Sequence, residues 1–375
     1  MDYAADSHSC YNPGGQSAQD QRNAPGGARH TMKAERIVVL EPGKIGFIEE
    51  DLPPVGAGQV LVRAIASGIS AGTEMSIYRG TSPFFVKDYD EPSGLFLKSD
   101  KPEWAYPFSV SYEHVGEVVE VGSAVRELRR GDKVFSFHYH STAAVLGQDD
   151  VYRIPAELQD PTLAVASALL GVTFQGILDA AINLGETVVV FGLGMIGQLA
   201  VRLARMSGAG SVIGVDLLRQ RLEIADLGGA TDVVDPKEVE DVAVEIRRRN
   251  RDRSPDVVLE CSGSYAALNE ATRAAGYNGR VVTMSYYQGA GSELRLGEEF
   301  HHNRVRVICS RFLIPSPDLS YRWDPARRME TVMSLLPKLD LDRFVTRRIP
   351  YKQAAEGYKL VDEQPDKVLL VVFEY

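Results

Sequence analysis

The sequence predicts an α/β chain of two parts, a doubly wound parallel sheet and a smaller, mostly antiparallel β-barrel domain. Three observations carry this. From Thr162 to Met284 helical and strand-like segments alternate, the pattern of βα units laid into a parallel sheet. From Lys33 to about Leu158 the runs are short, strand-like and punctuated by Pro and Gly, as in an antiparallel barrel. The length of 375 residues exceeds what one core usually organises, so two domains are expected.

The clearest local signal is Val188-Val189-Val190-Phe191-Gly192-Leu193-Gly194-Met195-Ile196-Gly197, which reads as strand, tight turn and helix. Gly192 permits the turn, Gly194 lets the backbone approach a pyrophosphate, and Gly197 lets the helix pack on its strand. The amides that open this helix, at Met195 and Ile196, then face the phosphates with the helix dipole behind them. A second apolar strand, Ser211 to Val215, ends at Asp216, about twenty residues past the glycines, where an acid accepts the ribose hydroxyls of a dinucleotide. The bland alternative is a structural strand–Gly–helix turn. Asp216 favours NAD(H), because a 2′-phosphate would meet a carboxylate; Arg219 and Arg221 leave room for NADP(H). Glu260-Cys261-Ser262-Gly263 closes the next parallel strand and lines the same crevice, with Cys261 read as packing rather than reactive.

Taken in order, residues 1–32 are rich in Gly, Ser, Asn, Gln and Ala and hold no signal-peptide core, so they read as a disordered extension. The barrel runs follow: Ile37 to Leu40, Gln59 to Ala66, His114 to Gly122, and Asp132 to Phe137. The stretch Ser82 to Pro107 reads as a long loop over a site. Residues 161–310 form the nucleotide domain. Its basic run from Arg247 to Arg253 reads as a solvated helix end, although a nucleic-acid patch is the other reading of such a run. Residues 311–375, with a helix from Pro325 to Leu336 and a final strand from Lys367 to Phe373, return to complete the domain begun at 33–160. A net charge of −10 argues against nucleic-acid or membrane partners. Three widely spaced cysteines suggest neither a disulfide framework nor a cysteine-rich zinc lobe, and a cytoplasmic home.

This order of parts resembles the medium-chain dehydrogenase/reductase superfamily. The likeness rests on Gly58-Gln59-Val60-Leu61-Val62, Tyr112-Glu113-His114-Val115-Gly116-Glu117, Arg130-Gly131-Asp132-Lys133-Val134, the three-glycine turn, and Gly229-Ala230-Thr231-Asp232. It covers the chain from about Lys33 onward. It implies a GroES-like barrel, a Rossmann domain and hydride transfer with a nicotinamide. It also implies a homodimer or homotetramer, with Val305 to Ile308 as an interface strand. The departures matter as much. Where zinc-dependent members carry Gly-Ile-Cys, this chain has Gly68-Ile69-Ser70; their Gly-His-Glu is Ser111-Tyr112-Glu113 here; the third ligand position falls near Leu169 or Leu170. A catalytic zinc takes about three thiolate, imidazole or carboxylate ligands, so no zinc is expected. Ser67 to Glu74 and Tyr321 to Arg328 resemble a zinc-free branch that includes bacteriochlorophyllide dehydrogenase and enzymes of secondary metabolism.

Without a metal, hydrogen-bond donors or a proton-transfer group must meet the developing alkoxide. The vacated positions nominate Ser70 and Tyr112, with Thr73, Glu74 and Glu113 beside them. Tyr112 is the first choice as proton donor, and filling the zinc space by packing is its alternative role. His114 reads as structural, whereas His138 and His140 read as alternating along one strand face. Thr173 is assigned to the cofactor through the resemblance. The arginines from Arg304 to Arg328 read as surface or interdomain pairs rather than as contacts to an anionic substrate. The expected activity is hydride transfer between a nicotinamide and a secondary alcohol or ketone of a specialised metabolite, such as a cyclic polyol. Reduction of an activated C=C bond and a nucleotide-binding protein without turnover are the alternatives.

Overall fold

The structure is a computed structural model and describes residues 32–312 and 317–375. Apart from Met32, the expected extension lies outside the described residues, as does Cys10. The first unit opens with β1 (Lys33–Glu41), β2 (Lys44–Asp51), β3 (Gln59–Gly68), α1 (Thr73–Tyr78), β4 (Lys87–Asp90), β5 (Leu95–Lys98), β6 (Phe108–Ser109), β7 (His114–Val121), β8 (Lys133–Ser136), β9 (Ala143–Gly147) and β10 (Val151–Arg153). The run Gln59 to Gly68 becomes the central strand, because Val60, Leu61, Val62, Ala64 and Ala66 are all buried and both of its edges are paired.

The second unit contains α2 (Ser167–Ala180), β11 (Thr187–Phe191), α3 (Met195–Met206), β12 (Ser211–Val215), α4 (Arg219–Leu227), β13 (Asp232–Val234), α5 (Val242–Arg249), β14 (Val257–Glu260), α6 (Tyr265–Ala274), β15 (Arg280–Thr283), β16 (Arg306–Cys309), α7 (Pro317–Ser320) and α8 (Pro325–Leu335). Its six strands are all parallel, in the order β13-β12-β11-β14-β15-β16. Val188 to Val190, Val257 to Leu259, and Val281 and Val282 are fully buried, as strands covered by helices on both faces must be. The order reverses between β11 and β14, the topological switch point where such sheets bind ligands. The segment Pro161–Ala180 is apolar and long enough to cross a membrane, yet 83% of its 18-residue apolar window is buried inside the protein, the pattern of a core helix.

The chain then returns to the first unit through β17 (Val345–Pro350), α9 (Ala354–Glu363) and β18 (Leu370–Glu374). These complete a sheet ordered β10-β8-β7-β3-β18-β17, with β9 also on β3, beside a three-stranded sheet β2-β1-β6. Tyr358 of α9 and Phe373 of β18 are fully buried in the core with Met75 and Ile69.

Two expectations need correction. The stretch Ser82 to Pro107 is not a plain loop: β4 and β5 form an antiparallel hairpin, and the flanking segments are held by rings, with Phe84 stacked on Trp104 at 4.6 Å and Phe85 on Tyr106 at 4.6 Å. The domain boundaries move from 160/161 and 310/311 to Ala168/Leu169 and Phe344/Val345. Residues 317–344 stay with the second unit because their side chains are held there. Trp323 meets Phe174 edge-on at 5.2 Å, Arg328 donates to Gln175 at 3.3 Å, and the Arg202 guanidinium lies 4.6 Å from the Phe344 ring centre. Phe344 is fully buried, so Phe344→Ala is expected to cost about 3–5 kcal/mol, read as a lower Tm in thermal unfolding; an unchanged Tm would contradict this placement.

Candidate active site

At the end of β11 the backbone turns at Gly192, whose φ of +81° favours glycine. A Cβ on Gly197 would lie 1.9 Å from the Gly192 carbonyl oxygen, and one on Gly192 would lie 2.6 Å from the Ser262 Cβ. Gly194 is different: a Cβ there would meet only the Arg221 guanidinium, at 3.8 Å. Two glycines serve packing and the third leaves the mouth of the turn open. Among the described residues no side chain caps α3, so the amides of Met195 and Ile196 are left for an anion. Asp216 accepts from the Leu193 amide at 2.7 Å and the Leu218 amide at 2.9 Å. Its carboxylate therefore ties the glycine turn to the end of β12, and Arg221 stands 3.9 Å away.

In the first unit, Ser70 Oγ and Tyr112 Oη lie 2.5 Å apart. Three contacts fix the corner that carries them. The Gly68 amide donates to the Glu113 carbonyl at 3.0 Å, the Ser111 hydroxyl donates to the Gly68 carbonyl at 3.2 Å, and the Glu113 amide donates back to Ser111 Oγ at 3.0 Å. Ser111 adopts φ +90° to do so, a costly conformation for a residue with a side chain.

Behind Ser70 lies a buried polar chain. Glu74 accepts from the Ser70 amide at 2.7 Å, from the Tyr358 hydroxyl, and from His140 Nε2 at 3.2 Å. With Nε2 donating, His140 Nδ1 accepts from Ser67 Oγ at 2.6 Å, and Ser67 in turn accepts from Tyr375 at 2.9 Å. Every donor in this chain has an acceptor. The Ser67–His140–Glu74 arrangement resembles an activated serine, but all three side chains are buried, so it supports the fold rather than attacking a substrate.

Comparison with known proteins agrees with this architecture. Residues 56–190 match the family model for the alcohol dehydrogenase GroES-like domain, and residues 196–320 the model for zinc-binding dehydrogenase. This chain is a medium-chain dehydrogenase/reductase. It is 29% identical over 343 residues to D-guloside 3-dehydrogenase of Escherichia coli K12, covering 89% of this chain and 97% of the relative. A zinc-binding dehydrogenase from Sinorhizobium meliloti 1021 bound to NADP superposes with a TM-score of 0.71 at 22% identity, over 92% of this chain and 100% of that one. An Escherichia coli CFT073 alcohol dehydrogenase complexed with NADH gives 0.72 at 19% identity, over 92% and 99%. The protein is an NAD(P)-dependent oxidoreductase, and its uncapped α3 terminus and open Gly194 fit a dinucleotide.

The described residues at the Ser70–Tyr112 corner do not make up a zinc ligand set. The corner offers two hydroxyls, and among the described residues no three His, Cys, Asp or Glu side chains converge. Glu113 is fully buried and neither carboxyl oxygen has a hydrogen-bond partner; burial, then the nearby Glu74, pushes its pKa well above the ordinary value. Leu169 and Leu170 are apolar and buried.

The other expected residues have the following surroundings. Thr173 is fully buried and its hydroxyl donates to the Leu169 carbonyl at 2.8 Å, so its proton is committed inside α2. Thr73 begins α1 and its carbonyl accepts from Ser76; its side chain has no part in the buried chain. His138 and His140 lie outside any strand: His140 joins Glu74, while His138 packs on Tyr139, ring centres 3.9 Å apart. His114 is structural, bonded to Ser136 at 3.0 Å, and burial holds its pKa down to about 4. Cys261 lies at the crevice edge with its thiol pushed up by burial, whereas Ser262 and Gly263 turn inward to hold Glu260. Sequence alone assigns Ser67, Tyr358 and Tyr375 no site role: Tyr358 lies between Gly357 and Lys359 and Tyr375 follows Glu374, so no local pattern marks them.

A carboxyl whose pKa is raised by folding costs stability as pH rises above its unfolded value. Glu113→Gln is therefore expected to raise stability by about 1–3 kcal/mol near pH 8 and to change little near pH 4, measured by chemical denaturation. A loss of stability near pH 8 would show Glu113 ionised and paired.

Proposed function

We propose that the protein is a zinc-independent NAD(P)-dependent dehydrogenase that oxidises a secondary alcohol of a polyol or related specialised metabolite, or reduces the matching ketone. One observation carries this reading: the Ser70–Tyr112 hydroxyl pair, 2.5 Å apart, stands at the positions where zinc-dependent relatives carry ligands. The name of the Escherichia coli relative, D-guloside 3-dehydrogenase, supports a ring-borne secondary alcohol.

When bound, the nicotinamide supplies or takes up the hydride. The Met195 and Ile196 amides hold the pyrophosphate, and Asp216 the adenosine ribose, which favours NAD(H) over NADP(H); Arg221 beside it is the group that a 2′-phosphate would need. In ketone reduction Tyr112 gives its hydroxyl proton to the substrate oxygen as the carbon receives the hydride, and Ser70 hydrogen-bonds the same oxygen. In alcohol oxidation the proton returns by the same path. Glu74 holds the Ser70 amide so that this pair is preorganised. The second unit's edge strand, β16, exposes Val307 and, among the described residues, pairs on one side only, which supports a homodimer or homotetramer. The free thiols of Cys261 and Cys309 support a cytoplasmic location.

Tyr112→Phe is expected to lower kcat for secondary-alcohol oxidation by about 100-fold with NADH affinity unchanged, measured by steady-state kinetics and nicotinamide fluorescence. Full activity in that variant would leave Tyr112 as packing, and NADPH-dependent loss of enone absorbance in place of alcohol oxidation would overturn the reaction class.

A further inference from the structure

Glu260 ends β14, in register with Phe191 of β11 on one side and Thr283 of β15 on the other. It thus sits at the switch point of the sheet, directly beside the glycine turn. The side chain is fully buried. Its carboxylate accepts from the Ser262 amide at 2.8 Å, the Gly263 amide at 3.3 Å, the Ser262 hydroxyl and the Tyr287 hydroxyl. Burial pushes its pKa up while these four donors pull it down.

What the carboxylate lacks is a cation. Among the described residues it forms no ion pair, and the groups that hold it are dipoles only. The other titratable groups around it, Cys261 and Tyr287, are both pushed up and stay uncharged. Tyr265 packs on Tyr287, ring centres 5.1 Å apart, and its hydroxyl donates to the Gly289 carbonyl at 3.1 Å. The loops after β14 and β15 are thereby tied together around one uncompensated negative charge.

A dinucleotide crosses a doubly wound sheet at the switch point. With Asp216 at the adenosine end, on β12, the other half extends over the ends of β14 and β15. The oxidised nicotinamide ring carries a positive charge and the reduced ring none. We propose that Glu260 is a specificity-determining residue for cofactor redox state, its buried negative charge favouring the oxidised over the reduced nicotinamide. This rests on the dinucleotide reading of the glycine turn. Tyr287 is a positioning residue that keeps the carboxylate in place. The adenosine and pyrophosphate contacts are common to both forms, so the ratio of the two affinities isolates the ring's charge.

The test is calorimetric titration of the wild-type protein, Glu260→Gln and Tyr287→Phe with NAD+ and with NADH near pH 8. Glu260→Gln is expected to lose about fivefold more affinity for NAD+ than for NADH, whereas Tyr287→Phe, which keeps the charge, loses both in equal proportion. An unchanged ratio in Glu260→Gln overturns the proposal while leaving the dinucleotide site intact. Failure of the wild-type protein to bind either form overturns that site and this inference with it. Should Glu260→Gln not fold, Glu260→Met, equally neutral and of similar length, takes its place in the same titration. The same fall in the ratio of NAD+ to NADH affinity is expected, and an unchanged ratio contradicts the proposal.

Discussion

The second unit is organised around the approach of α3 to β11. A Cβ on Gly197 would stand 1.9 Å from the Gly192 carbonyl oxygen, a separation no side chain permits, so the helix reaches its strand only because position 197 is bare. That approach aims the opening amides of α3 across the crevice. The Asp216 carboxylate fixes the turn from one side by holding the Leu193 amide, and the Ser262 turn closes against Gly192 from the other. A cofactor then meets a cradle that is formed before it arrives, which lowers the ordering cost of binding.

The first unit solves a different problem. Its Ser70–Tyr112 corner has two hydroxyls within hydrogen-bond distance, beside two buried carboxyl groups whose surroundings differ sharply. Glu74 collects three donors, whereas Glu113 has none. Glu74 anchors the Ser70 backbone. Glu113, whose pKa burial pushes well above the ordinary value, occupies the space beside Gly68, where a Cβ would lie 2.2 Å from its Oε2.

Much of this was legible in the sequence, for physical reasons that differ by site. The three glycines and Asp216 are local, and their spacing alone specifies a strand, a turn and a helix. The Ser70–Tyr112 pair was legible only through the substitution of hydroxyls for ligands, and its separation required the structure. His140 was misread because Phe137-His138-Tyr139-His140 alternates like a strand, yet β8 ends at Ser136, the His140 backbone bonds instead to Val110 and Ile37, and its ring meets Glu74. Tyr358 and Tyr375 reach the same network from the far end of the chain, and no local pattern reports contacts of that span. The boundary at Phe344 was missed because the helix pattern of Pro325 to Leu335 does not say which unit its apolar face joins; the ring and guanidinium contacts to Phe174, Gln175 and Arg202 decide where residues 317–344 belong.

The central claim is hydride transfer supported by hydroxyls rather than by a metal. Its most direct test is to measure metal content and alcohol-dependent NAD+ reduction on one sample of purified protein after exhaustive chelation. Turnover retained with zinc far below one ion per chain is the result this account predicts. Turnover that disappears with the metal and returns in proportion to added zinc would contradict it.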